Sequence, residues 1–209
     1  MVKPRASEWL QNFCQSNTVV LGSSSQWRKQ VLDEAGCKIA SCVAPDIDEK
    51  AIRAPSAQEM SMLITRAKAE AVLMKLPGKS GYAICSDQVA VCNGEVREKP
   101  ESEEEARRFL KSYSEDQLPV STVTSVVVIN LSTGKRAEGS HTALVHFSQI
   151  PPEAQDTIVH GKIIYTCCGG FSVEDPAMGK YVRHIDGGVD SVMGMPLGLL
   201  ESLCQQASV

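Results

Sequence analysis

Residues 18–32 read T-V-V-L-G-S-S-S-Q-W-R-K-Q-V-L: a strand, a turn of small residues and a helix in succession. The β-branched run at 18–21 stops at Gly22, the pattern of a short buried strand. Ser23, Ser24 and Ser25 follow, and then Trp27, Val31 and Leu32 recur at helical spacing. Serine is a favoured N-cap, so the helix begins where the serine run ends. Such a junction leaves unpaired backbone N–H groups at the positive end of a helix dipole, a ready-made anion site. Arg28 and Lys29 occupy the first turn, with no acid before Asp33. Cations there oppose the dipole, so a phosphate-bearing ligand would account for them. An ordinary capped helix with two solvated basic residues is the competing reading, and this stretch alone does not choose.

The 209 residues, 43% of them hydrophobic, suffice for a full core. They read as one domain, residues 1–209, of two lobes, with 1–17 as an N-terminal extension of unassigned role. A net charge of -4 and a pI near 5.6 argue against a nucleic-acid polymer as partner. The eight cysteines (Cys14, Cys37, Cys42, Cys85, Cys92, Cys167, Cys168 and Cys204) form no C-x-x-C pair, so zinc-site spacing is absent. With no signal-peptide pattern at the start, the expectation is reduced thiols in a cytoplasmic protein. No apolar run reaches the roughly 18 residues of a membrane span.

Outward from the opening stretch, residues 1–16 contain an amphipathic segment with Trp9, Leu10 and Phe13. The helix after the serine turn ends at Gly36, and 38–43 suits a second strand. Residues 44–55 form a loop carrying Asp46, Asp48 and Glu49. S-A-Q-E at 56–59 is a capping box that opens a helix to Leu76, broken by Pro77 and Gly78. Residues 81–92 read as a strand with a polar interruption at Ser86, Asp87 and Gln88, followed by the hairpin turn Asn93-Gly94. A helix starts near Ser102, strands follow at 121–131 and 136–147, and another helix opens at Pro151-Pro152. The remainder is glycine-rich and closes in a helix at 197–204. The pattern is α/β with a mixed sheet flanked by helices.

Asp87 is the sharpest chemical signal, because a carboxylate within an apolar strand must be paired, metal-bound or exposed. The Asn93-Gly94 hairpin can return Lys99 toward it. A structural ion pair is one reading. The other joins Asp87 to the acids of the 46–49 loop as hard oxygen ligands for a divalent cation, Mg²⁺ or Mn²⁺. Lys99, Arg28 and Lys68 would then neutralise phosphate oxygens. Together these make an inventory for metal-assisted attack of water on a phosphoanhydride.

The blocks L-G-S-S-S-Q-W-R-K-Q-V-L (21–32), D-I-D-E (46–49), R-A-K-A (66–69), S-D-Q-V (86–89), K-P (99–100) and V-D-S-V-M-G-M-P-L (189–197) together resemble the Maf family of nucleoside triphosphate pyrophosphatases. The resemblance covers nearly the whole chain. It implies an inosine-triphosphatase-like fold with a cleft between two lobes. It also implies metal-dependent hydrolysis of a nucleoside triphosphate to monophosphate and pyrophosphate. By the same resemblance Asp87 corresponds to the proton acceptor, and Ser23, Ser25, Arg28, Glu49, Lys68 and Lys99 to polar residues around phosphates and metal. Gln26 and Lys29 depart from the family's usual proline and arginine.

Trp27, Gln88 and Glu174 resemble the branch of the family acting on 7-methyl-GTP. N7-methylation makes guanine cationic, so an aromatic face attracts it and a carboxylate can accept from its N1–H and N2–H₂ edge. A core tryptophan and a solvated loop acid are the plainer alternatives for Trp27 and Glu174. The rival functions are the dTTP/UTP-hydrolysing branch and a non-catalytic nucleotide-binding or cell-division protein. The oligomeric state is open, a homodimer included.

Overall fold

A computed structural model describes residues 4–76 and 78–208. At its centre is a mixed seven-stranded sheet in the order β2-β1-β3-β5-β6-β7, with β4 on the far end of β3. In chain order the elements are α1 (Glu8–Ser16), β1 (Val19–Gly22), α2 (Gln26–Glu34), β2 (Ser41–Cys42), α3 (Ala57–Met74), β3 (Tyr82–Cys92), β4 (Glu95–Arg97) and α4 (Glu103–Ser114). There follow β5 (Val120–Asn130), β6 (Arg136–Phe147), α5 (Pro152–His160), α6 (Pro176–Gly179), β7 (Val182–Asp186), α7 (Val189–Val192) and α8 (Leu197–Ser208). β1 runs parallel to β2 and β3, whereas β3, β5, β6 and β7 are antiparallel in turn.

Alternation along β3 sorts its side chains between two layers. Ala83, Cys85 and Val89 face α3, packing near Val72, Ala69, Ile64 and Met60. Tyr82, Ile84, Ala90 and Cys92 face the larger core, shared with α1, α2, α4, α5 and α8. Asp87 has the parity of the α3 face. Gln88 has the opposite parity. The polar interruption at 86–88 does not break the strand, because each residue meets a ladder partner on β5: Asp87 lies opposite Ser125 and Gln88 opposite Thr124.

Unequal strand length creates the cleft. β1 stops at Gly22, paired with Cys85, while β3 continues. Residues 86–88 therefore lose their neighbour on that side, and a crevice opens beyond the carboxyl end of a parallel strand, where α/β sheets commonly bind ligands. Gly22 itself is a close approach: a Cβ there would lie 2.4 Å from Cys85 Sγ and 2.9 Å from Val72 Cγ2.

Several expectations need correction. The second strand is only Ser41–Cys42. The glycine-rich remainder contains an edge strand, β7, and two short helices that periodicity does not reveal. The α3 helix ends at Met74, and Gly78 follows with a φ of 66°. The expected break at Pro77, like the first three residues of the amphipathic start, lies outside the described residues. Among the described residues no helix is long and apolar enough to cross a membrane.

Candidate active site

The serine turn is built as a cradle. Ser25 caps α2, its Oγ accepting from the Arg28 N–H at 3.4 Å. Ser23 Oγ accepts from the Ser25 N–H and from Arg28 Nη1, each at 3.1 Å. That leaves the Ser23 hydroxyl proton to be donated elsewhere. The N–H groups of Gln26 and Trp27 begin the helix and have no carbonyl a turn earlier to receive them. Arg28 folds back over the turn, and its Nε donates to Gly194 O at 3.1 Å. The same carbonyl accepts from Ser86 Oγ at 3.1 Å. Gly194 has a φ of 89°, so a glycine suits the loop that meets the guanidinium. Lys29 is not part of the cradle: it turns to Asp33 on the exposed side of α2.

Residues 23–28 form one side of a cleft of about 430 Å³. Glu49, Lys68, Asp87, Gln88, Lys99 and Glu174 also line it. The sequence blocks scattered from 21 to 197 thus converge, the last through Val192 and Met193, and Glu174 joins them.

The charged wall faces α3. Asp87, 5% exposed, accepts from Lys68 Nζ at 2.7 Å, and Glu49 Oε2 lies 3.0 Å from the same ammonium. Lys68 is itself 5% exposed, so the pair sits at the buried end of the cleft, while Glu49 remains partly open to solvent. Beside them, burial pushes the Cys85 thiol up to about 12, against the opposing pull of Lys68 and Arg28. The hairpin returns Lys99 to the same cleft as Asp87 but not to an ion pair with it. Asp87 pairs with Lys68, not Lys99, because β4 ends at Arg97 opposite Ala90 and the chain then leaves the sheet. Glu98 O accepts from the Gly169 N–H at 3.0 Å instead. Lys99 lines the cleft without an ion-pair partner among the described residues.

Of the three loop acids, only Glu49 reaches the cleft. Asp46 is bound by Lys75, and Asp48 caps the 3₁₀ turn Glu49–Ala51, accepting from the Ala51 N–H at 3.3 Å. Among the described residues no group of three or more metal-ligating side chains gathers. Two carboxylates converging on one ammonium still fit Mg²⁺ or Mn²⁺, which use one or two carboxylates and take their other ligands from water and substrate phosphates.

The neutral wall faces the other layer. Gln88 Nε2 donates to Thr124 Oγ1 and to Ser191 O, both at 2.8 Å, and Gln88 Oε1 accepts from Cys168 Sγ at 3.4 Å. Ser191 is held in turn by His141, with Nδ1 2.7 Å from Ser191 Oγ. Sequence reasoning missed Thr124, Ser191 and Cys168. Ser191 stood within the 189–197 block, but nothing marked its carbonyl as an acceptor. Trp27, Phe171, Val173 and Glu174 also line the cleft. Trp27 is partly buried against the core, with no ring–ring contact among the described residues. Glu174 has neither a hydrogen bond nor an ion pair among them.

A family model described as "Maf-like protein" matches residues 18–207. A protein of Dictyostelium discoideum named 7-methyl-GTP pyrophosphatase is 42% identical over 199 residues, 92% of this chain and 98% of its own. A dTTP/UTP pyrophosphatase of Chlamydia trachomatis is 33% identical over 192 residues, 91% of this chain and 94% of its own. A 7-methyl-GTP pyrophosphatase of Pseudomonas syringae is 29% identical over 180 residues, 86% of this chain and 91% of its own.

Proposed function

Because the chain belongs to the Maf-like protein family, we propose that it is a nucleoside triphosphate pyrophosphatase that converts 7-methyl-GTP to the monophosphate and pyrophosphate. The observation that carries the reading is the buried Asp87 carboxylate, set between Lys68 and an open cleft whose other side is the Ser23–Arg28 cradle. A triphosphate laid along the serine turn would meet the first N–H groups of α2, the Ser23 hydroxyl and the Arg28 guanidinium. Asp87 takes the proton from the water that attacks the innermost phosphorus. Arg28 and Lys99 then neutralise the charge that develops on the departing pyrophosphate. Lys68 holds the Asp87 carboxylate in place through its 2.7 Å hydrogen bond. Glu49 and Asp87 would hold Mg²⁺ or Mn²⁺, an ion that, when bound, draws charge from the phosphate oxygens and acidifies water.

At the other end of the cleft, Trp27 offers an aromatic face to a cationic methylated guanine, and the unpaired Glu174 carboxylate can accept from its N1–H and N2–H₂ edge. Gln88 is committed inside the protein, so its role is to fix the wall beside the base. The Dictyostelium and Pseudomonas relatives, both named 7-methyl-GTP pyrophosphatases, support this base, while the Chlamydia relative supports pyrophosphate release alone. The reaction would be carried out in the cytoplasm by a single domain. The test is a panel of canonical and modified triphosphates with Mg²⁺ or Mn²⁺, scored by pyrophosphate release. The expected result is the highest kcat/KM on 7-methyl-GTP. A preference for dTTP or UTP would overturn the base assignment, and no pyrophosphate from any nucleotide would overturn the enzymatic reading.

A further inference from the structure

Two adjacent thiols, Cys167 and Cys168, line the cleft. Both are half-buried free thiols. Cys167 begins as extended backbone with Sγ 3.6 Å from Thr166 Oγ1, and Cys168 opens the 3₁₀ turn Cys168–Gly170 with its Sγ on Gln88 Oε1. The turn is fixed from both sides. Gly169 N donates to Glu98 O at 3.0 Å, and Gly169 O accepts from Tyr113 Oη at 2.8 Å. Neither sulfur takes part in the hydrolysis proposed above. Both line the same cleft as Lys99 and Trp27.

We propose that Cys167 and Cys168 form a dithiol site for trivalent arsenic inside the cleft, and that its occupation excludes the nucleotide. An organic arsenoxide carries one As=O group. Each thiol forms one As–S bond, and the two thiol protons leave with the oxo oxygen as water. Arsenic stays trivalent, so no oxidant or reductant is needed. Chelation, not thiolate reactivity, favours this pair. Burial pushes both thiols up, Cys168 to about 12, so single-thiol alkylation at neutral pH is slow. Once one sulfur has bonded, the next residue supplies the second at high effective concentration. Cys42, exposed and alone, offers only one bond, and Cys14, Cys37, Cys85, Cys92 and Cys204 are buried.

The exclusion of nucleotide rests on the cleft being the nucleotide site; the adduct does not. The experiment treats the full chain with phenylarsine oxide and reads the intact mass. The expected result is one arsenical per chain that survives excess monothiol and is removed by a dithiol. Its lifetime should exceed that of either Cys167→Ser or Cys168→Ser by roughly 10²-fold, the gain from the second sulfur. 7-Methyl-GTP should slow its formation, and pyrophosphate release by the modified protein should fall by roughly tenfold or more. Adduct formation in both variants with the wild-type lifetime would overturn the proposal, as would no adduct at all. An adduct without nucleotide protection would overturn the exclusion. An adduct with protection but no turnover on any nucleotide would uphold the dithiol site and refute the hydrolase instead.

Discussion

Asp87 and Gln88 are neighbours on one strand, yet they build opposite walls. Asp87 points toward α3, where its ion-pair partner is Lys68, shared with Glu49. Gln88 points toward α7 and the 168–170 turn, where every polar atom of its amide has a protein partner. One wall is a charge balance that an incoming polyphosphate and cation can rearrange. The other is a closed hydrogen-bond network that stays as it is. A strand divides chemistry from shape in this way because its side chains alternate, and because β1 is too short to cover the place where they do so.

The largest difference between the walls is expected from Asp87→Asn. It should reduce pyrophosphate release by about 10²–10⁴-fold, the range for losing a general base, while much of the nucleotide binding persists. Steady-state kinetics beside a binding titration checks this, and equal losses in both would mean that Asp87 serves binding alone. Next, Lys68→Met should destabilise the fold by about 3–5 kcal/mol, because it strands the buried Asp87 carboxylate. Denaturant midpoints measure it, and Lys68→Met combined with Asp87→Asn should recover part of the loss.

Trp27→Ala sharpens the comparison at the base end. It should cost roughly 1 kcal/mol more against 7-methyl-GTP than against GTP, since only the methylated base is cationic. The ratio of the two kcat/KM values reads this directly. The smallest effect is expected on the closed wall. Thr124→Val leaves Gln88 Nε2 with Ser191 O alone, and should lower stability by about 1 kcal/mol with kcat nearly unchanged. A loss of turnover as large as that of Asp87→Asn would erase the distinction between the walls.

Much of this arrangement was legible in the residues, for identifiable reasons. The strand, serine turn and helix at 18–32 carry strong local signals, and Ser25 does cap α2. The long helix after Ser56 and the Asn93-Gly94 hairpin were equally local. The partner of Asp87 was not. Lys68 reaches it only because α3 packs across that face of the sheet, a fact set by tertiary structure, whereas the hairpin pointed to Lys99. Residues 163–195 resisted for another reason. Their 3₁₀ turns and short helices hold too few residues to express a period, so the Cys168 and Ser191 contacts to Gln88 appear only in three dimensions.

The account stands on water, activated by Asp87, reaching the innermost phosphorus of the nucleotide. Turnover of 7-methyl-GTP in ¹⁸O-labelled water, with mass analysis of both products, tests this most directly. The account predicts the label in the monophosphate and none in the pyrophosphate. Label in the pyrophosphate, or release of orthophosphate with a nucleoside diphosphate, would contradict it.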